Sequence, residues 1–262
     1  MLSKVELYKF FVEPFHVDFT GHLFLGVLGN HLLNAAGHHS HNRGWGIDQL
    51  NEAHFTWVLS RLCIELTEMP SQYEHVEVET WVESVMKLFT ERNFLIRNAD
   101  DGRIYGYARS VWAMIDTETR HPADLLKLKD GDILRYLLTA DEKPCPIEKH
   151  GRVRVSSDTP YRCIDTYYGD IDINGHVNSV KYIEHILDLF PREQYEHHRI
   201  RRFEIAYKAE SHLGDALILF CEENNGEHQV EIRKRQGESE IRLGELEKRP
   251  AETVVQAKVI WE

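Results

Sequence analysis

Apolar residues recur every three or four positions at Val177, Val180, Ile183, Ile186, Leu187 and Phe190, with Lys181, Glu184 and Asp188 between them. That spacing gives one apolar face, so the segment reads as an amphipathic helix that Pro191 stops. An earlier apolar stretch, HLFLGVLGNHLLNAAGHH, reads as a helix of the first half. Strand-like patterns follow each helix: FTWVLSRLCIEL, HVEVETWVESV, LFTERNFLIRN and RIYGYARSVWAMID after the first, and RRFEIAYKAE, DALILFCEE, HQVEIRKRQ and TVVQAKVIWE after the second. The order of elements repeats, and the closing strands echo each other, Ala108 to Trp112 beside Ala257 to Trp261.

Antiparallel strands joined by short turns bury one face, and a helix laid on that face completes a core. The chain is therefore expected to be α+β, with one helix-and-sheet domain in each half. Between the halves, LKLKDGDILRYLLTADEKPCPIEKHGRV holds Pro144, Pro146 and several charges, and reads as a linker with a short helix. The expected domains are residues 1–142 and 152–262, joined by residues 143–151. The segment Gly237 to Glu252 reads as a charged excursion between the last two strands.

Polar groups crowd the approach to the second helix. Asp172, Asn174 and His176 alternate, so an extended chain shows all three on one side. Asn174 suits an N-cap, and Gly175 a tight turn before the helix. A helix start supplies unpaired N–H groups and a positive dipole end, which can polarise a carbonyl oxygen as acyl transfer requires. Plain capping is the competing reading of the same residues. In the first half, Asp18, Gly21 and His22 echo this pattern, but Thr20 replaces Asn174 and Leu23-Phe24 replaces Val177-Asn178.

The set Asp172, Asn174, His176, Val177, Asn178, Lys181 and Tyr182 resembles the second-domain motif of the acyl-acyl-carrier-protein thioesterases, whose plant members carry D-x-N-x-H-V-N-N-x-K-Y. The stretches WVLSRLCIEL, VEVETWV and SVWAMID are also similar to their plant counterparts, so the resemblance covers nearly the whole chain. It implies two tandem hotdog domains, each an antiparallel sheet wrapped around a long helix. The N-terminal one would house the acyl chain and the C-terminal one would carry the catalytic residues. It also implies a catalytic glutamate at Glu210, in FEIAYKAES.

The next position departs from the plant pattern, with Ser211 where the plant enzymes have cysteine. Serine is a much weaker nucleophile unless a base activates it, and none of Cys63, Cys145, Cys163 and Cys221 sits in a motif that restores a thiolate. Carboxylate, amide and imidazole are left to do the chemistry. The expected reaction is hydrolysis of fatty acyl thioesters on acyl carrier protein, releasing free fatty acid and terminating fatty acid synthesis. Asp172 would attack or organise water, Asn174 orient water or thioester, and His176 move the proton. Glu210 would activate water or hold the imidazole. Backbone N–H groups near His176 and Val177 would meet the oxyanion, with Ser211 and Asn178 in support. An acyl-coenzyme A thioesterase using the same site and a non-catalytic acyl-binding module are the alternatives.

At 262 residues and 42% hydrophobic, the chain can bury an ample core. Its net charge of -12 argues against nucleic acid as a partner. The expected partner is acyl carrier protein with its phosphopantetheine-linked chain, itself acidic by family expectation, so docking calls for a local basic patch. HHRIRR offers one in His197, His198, Arg199, Arg201 and Arg202, with Lys208 downstream; a solvated strand face is the competing reading. His38, His39 and His41 lack a compact carboxylate or cysteine partner, so neither a metal nor another cofactor is expected. Irregularly spaced cysteines suit reduced thiols, and MLSKVELYKFFVEPFHVDF has no signal-type apolar run. A cytoplasmic protein without membrane insertion is expected, as monomer or homodimer.

Overall fold

The computed structural model describes residues 2–235 and 251–262. The chain divides into two compact units, Met1–His150 and Gly151–Glu262.

The first unit contains β1 (Glu6–Phe11), α1 (Leu25–His41), a short α2 (Ile47–Asn51), β2 (Phe55–Leu66), β3 (His75–Val85), β4 (Phe89–Asn98) and β5 (Ile104–Asp116). Its strands are antiparallel in the order β1-β3-β4-β5-β2. Leu25, Leu28, Leu32, Ala35 and Ala36 form the buried stripe of α1, which packs on β1 and β3. Strand alternation turns Thr90, Arg92, Phe94 and Ile96 of β4 inward together.

The second unit contains β6 (Arg162–Asp165), α3 (Ser179–Leu187), α4 (Arg192–His197), β7 (Ile200–Tyr207), β8 (Ala216–Asn224), β9 (Glu227–Arg235) and β10 (Glu252–Trp261). Its strand order, β6-β8-β9-β10-β7, matches the first unit rank for rank. Val180, Tyr182, Ile183 and Ile186 are the buried positions of α3, at the spacing read from the sequence. The Tyr207 hydroxyl donates to the Ser179 carbonyl at 2.9 Å and ties β7 to the first turn of that helix.

The structure departs from the sequence reading at several points, the short helices α2 and α4 among them. Strands β1 and β6 were not expected, because six and four residues are too short for alternation to stand out. Helix α3 begins at Ser179 and ends at Leu187, so Pro191 is not its stop but the residue before α4. The short helix expected ahead of the unit boundary is a 3-10 segment, Leu128–Tyr136, interrupted by positive φ at Lys129, Asp130 and Gly131. Of the expected charged excursion from Gly237 to Glu252, residues 237–250 lie outside the described residues, and β10 starts at Glu252.

Candidate active site

The segment from Asp172 to His176 is a closed turn rather than an extended strand. Asp172 Oδ1 accepts the backbone N–H groups of Asn174 at 2.8 Å and His176 at 3.1 Å. The Asp172 N–H donates to the His176 carbonyl at 2.8 Å, and the Gly175 N–H to the Asp172 carbonyl at 3.0 Å. Gly175 supplies the φ of 80° that the turn requires, a value strained for any residue with a Cβ. Asn174 is left exposed at the tip.

This geometry corrects two expectations. The N-cap of α3 is Asn178, whose Oδ1 accepts the Val180 N–H at 3.0 Å; Asn174 lies too early because the turn consumes its backbone. The N–H groups of His176 and Val177 do not face an oxyanion. The first is held by Asp172, and the second donates to the Ser211 carbonyl at 2.8 Å. A donor already satisfied by a well-placed acceptor has nothing to offer a transient charge.

The Val177–Ser211 bond has a further effect. With the pairing of His176 and His212, it lays residues 210–212 against the start of α3. His176 Nε2 thereby sits 3.3 Å from Glu210 Oε2, both side chains half-buried. The His212 ring stands edge-on to that of His176, centroids 5.0 Å apart, and its backbone N–H donates to Asp215 Oδ2 at 2.8 Å. Sequence reasoning missed His212, although its spacing of two from Glu210 was the available signal, since alternate residues of an extended chain share a side.

Ser211 contributes through its carbonyl. Its side chain is fully buried, the hydroxyl beside that of Tyr182 without a regular hydrogen bond. Burial pushes the Tyr182 hydroxyl up to about 12. Asp170 is buried; its Oδ2 accepts the Tyr167 N–H at 2.7 Å, and its carbonyl takes the Asn178 N–H. Three of the cysteines sit where a thiolate is disfavoured. Burial raises the thiols of Cys145 and Cys163, and raises Cys221 to about 11 with help from Glu222 and Glu223.

The first unit repeats this construction bond for bond. Asp18 Oδ1 accepts the Thr20 N–H at 2.8 Å, and Gly21 has φ 82°. The Leu23 N–H donates to the Pro70 carbonyl at 2.8 Å, and His22 pairs with Ser71. Pro70 thus corresponds to Ser211, Ser71 to His212, and Met69 to Glu210. The first-unit copy keeps the turn and its histidine but has Met69 at the position of the Glu210 carboxylate.

A family model described as the acyl-ACP thioesterase N-terminal domain matches residues 4–128, and its C-terminal counterpart matches residues 155–262. A crystal structure of an acyl-ACP thioesterase from Bacteroides thetaiotaomicron is 54% identical with a TM-score of 0.87, covering 99% of this chain and 98% of that one. The chain belongs to the acyl-ACP thioesterase family. The acyl-ACP thioesterase fold, two hotdog units in tandem, is shared with the 12:0-ACP thioesterase from Umbellularia californica. That likeness has a TM-score of 0.80 at 19% identity, over 100% of this chain and 98% of that one. Oleoyl-acyl carrier protein thioesterase 2, chloroplastic, from Arabidopsis thaliana is 26% identical over 224 residues, 80% of this chain. This acyl-ACP thioesterase family member spans only 60% of that plant protein's length.

The basic patch expected for this acyl-ACP thioesterase family member is smaller than its sequence suggests. Arg199 and Arg201 are exposed, and Arg199 pairs with Glu262 at 3.0 Å. Arg202 is removed from the docking set. It is 6% exposed, and its Nε donates to Glu204 Oε1 at 2.7 Å, because strand pairing turns it inward beside that buried carboxylate. Among the described residues, no helix is long and apolar enough to cross a membrane.

Proposed function

We propose that this chain hydrolyses fatty acyl thioesters carried on acyl carrier protein, releasing free fatty acid and so ending chain growth in cytoplasmic fatty acid biosynthesis. The observation that carries the reading is the His176–Glu210 contact at 3.3 Å, present in the unit that keeps the family's motif. Where Met69 stands in for the glutamate, that position brings no carboxylate to the histidine of the same turn. The apolar first unit is proposed to receive the acyl chain, as the family resemblance implies.

In this mechanism, Glu210 accepts the Nε2 proton of His176 and fixes the tautomer whose Nδ1 is basic. Water gives a proton to Nδ1 as its oxygen attacks the thioester carbonyl carbon. Collapse of the tetrahedral intermediate breaks the C–S bond, and the proton on Nδ1 passes to the departing sulfur. The products are a fatty acid and a free pantetheine thiol. In the first unit, Thr20 Oγ1 lies 2.8 Å from His22 Nδ1. By that correspondence Asn174 is assigned to the Nδ1 side of His176, where its exposed amide would hold the water or the developing oxyanion. Asp172 builds the turn.

The test is a rate comparison with one acyl chain presented on carrier protein and on coenzyme A, measuring free fatty acid. Faster turnover of the carrier substrate is expected. Equal or faster turnover of the coenzyme A substrate selects the acyl-CoA reading, and tight acyl binding without hydrolysis selects a binding module. Carrier docking on Arg199 and Arg201 predicts that reversing both to Glu slows only the carrier substrate, and chiefly at low salt.

A further inference from the structure

His176, Glu210 and His212 bring together two imidazoles and one carboxylate whose ligand atoms all lie within 4.8 Å of one another. Three ligands around a tetrahedral zinc ion, each about 2.0–2.2 Å from it, stand roughly 3.3–3.6 Å apart, so small side-chain rotations close the set. Backbone pairing of His176 with His212 brings the two imidazoles together edge-on, ring centroids 5.0 Å apart, before any ion arrives. The backbone of His212 is held in turn by Asp215 Oδ2, which also lies 4.0 Å from its Nδ1. Two imidazoles and a carboxylate favour a borderline divalent transition ion over magnesium or calcium, which take oxygen ligands. The corresponding first-unit positions, Met69 and Ser71, cannot supply such a set.

We propose that His176, Glu210 and His212 form a binding site for a divalent first-row transition ion, Zn2+ above all, and that its occupation switches hydrolysis off. The ion replaces the proton held between His176 Nε2 and Glu210, so the pair that sets the tautomer of the base is no longer available. Metal binding and hydrolysis are therefore mutually exclusive. The inhibitory half rests on the hydrolytic reading above, whereas the site itself rests only on the three side chains.

The experiment titrates chelator-treated protein with Co2+, read by its visible d–d absorption, and with Zn2+, read by calorimetry. One equivalent is expected to bind, with affinity falling roughly tenfold or more in His212→Gln and in Glu210→Gln. Circular dichroism checks that each variant is folded. Zn2+ at saturation is expected to suppress fatty acid release by the wild-type protein, EDTA to restore it, and whatever activity His212→Gln has to become insensitive to the same zinc concentration. No stoichiometric Co2+ spectrum, or a spectrum unchanged by His212→Gln, overturns the site. A zinc-saturated protein that turns over at the metal-free rate or faster overturns the inhibition. Failure of the metal-free protein to hydrolyse any thioester counts against the hydrolytic reading alone, since the Co2+ titration decides the site independently.

Discussion

The Val177 N–H donates to the Ser211 carbonyl at 2.8 Å, and this one bond sets the start of α3 beside the residue that precedes Ser211, Glu210. The proposed catalytic pair, His176 and Glu210, is thus aligned by main chain, and Ser211 enters that alignment through its carbonyl rather than its side chain.

Glu210→Gln keeps the shape of the side chain and removes its charge. It is expected to lower kcat by about 10²–10⁴-fold with little change in KM, as loss of a partner in acid–base catalysis does. His176→Ala should cost a similar amount, and the double variant little more than either alone. Multiplicative losses would show that the two residues do not act as a unit.

Asp172 separates a structural from a chemical carboxylate. Asp172→Asn retains an oxygen acceptor for the Asn174 and His176 N–H groups and is expected to keep most of the turnover. Asp172→Ala strands both donors and should cost about 1–2 kcal/mol in stability, with a loss of activity as His176 drifts. An Asp172→Asn protein that is folded yet inactive would assign the carboxylate a direct role.

The two turn glycines form a matched pair. Gly21→Ala and Gly175→Ala each place a Cβ at positive φ, near +80°, with no neighbouring atom to clash. Each should cost about 1–2 kcal/mol through backbone strain. Only Gly175→Ala is expected to lower turnover, read by measuring urea stability and fatty acid release on both.

His39 predicts an acid sensitivity of the fold. It is 2% exposed, its Nε2 donating to the Lys4 carbonyl at 3.2 Å and its Nδ1 accepting from Arg92 at 3.2 Å. Burial first, then Arg92 and Arg43, lower its pKa to about 2. Above the unfolded value near ~6.5, the ring is neutral in both states and its contribution is complete. Below it, the unfolded chain takes up a proton that the folded chain refuses, and stability falls by about 1.4 kcal/mol per pH unit. Urea titrations between pH 7 and pH 5 should show at least this slope, since His31, lowered to about 4 by burial, adds to it with the same sign, and His39→Gln should flatten it by about one proton. An unchanged slope would point to another group.

The helix-and-sheet plan was legible because burial is periodic: Val180, Ile183 and Ile186 follow a helical spacing that packing against a sheet requires, and the long strands alternate. The role of Asp172 was not. A carboxylate two residues before an amide reads equally as catalyst or turn acceptor, and the choice depends on where backbone N–H groups point. Arg202 misled for a different reason. A run of basic residues suggests a charged face, but pairing with Ile260 in β10 fixes a register that turns this residue inward, with Glu204 as partner. Glu210 was found by resemblance, and nothing local in the sequence announced its meeting with His176.

The duplicated turn makes the chain its own control. A lead-in held by one aspartate, one glycine and a main-chain bond recurs at Asp18–His22 with no carboxylate at the position of Glu210, so the turn forms without that side chain. The turn and the side chains set against it are separable in this molecule, and a single tripeptide marks the difference: Met69-Pro70-Ser71 in one copy, Glu210-Ser211-His212 in the other.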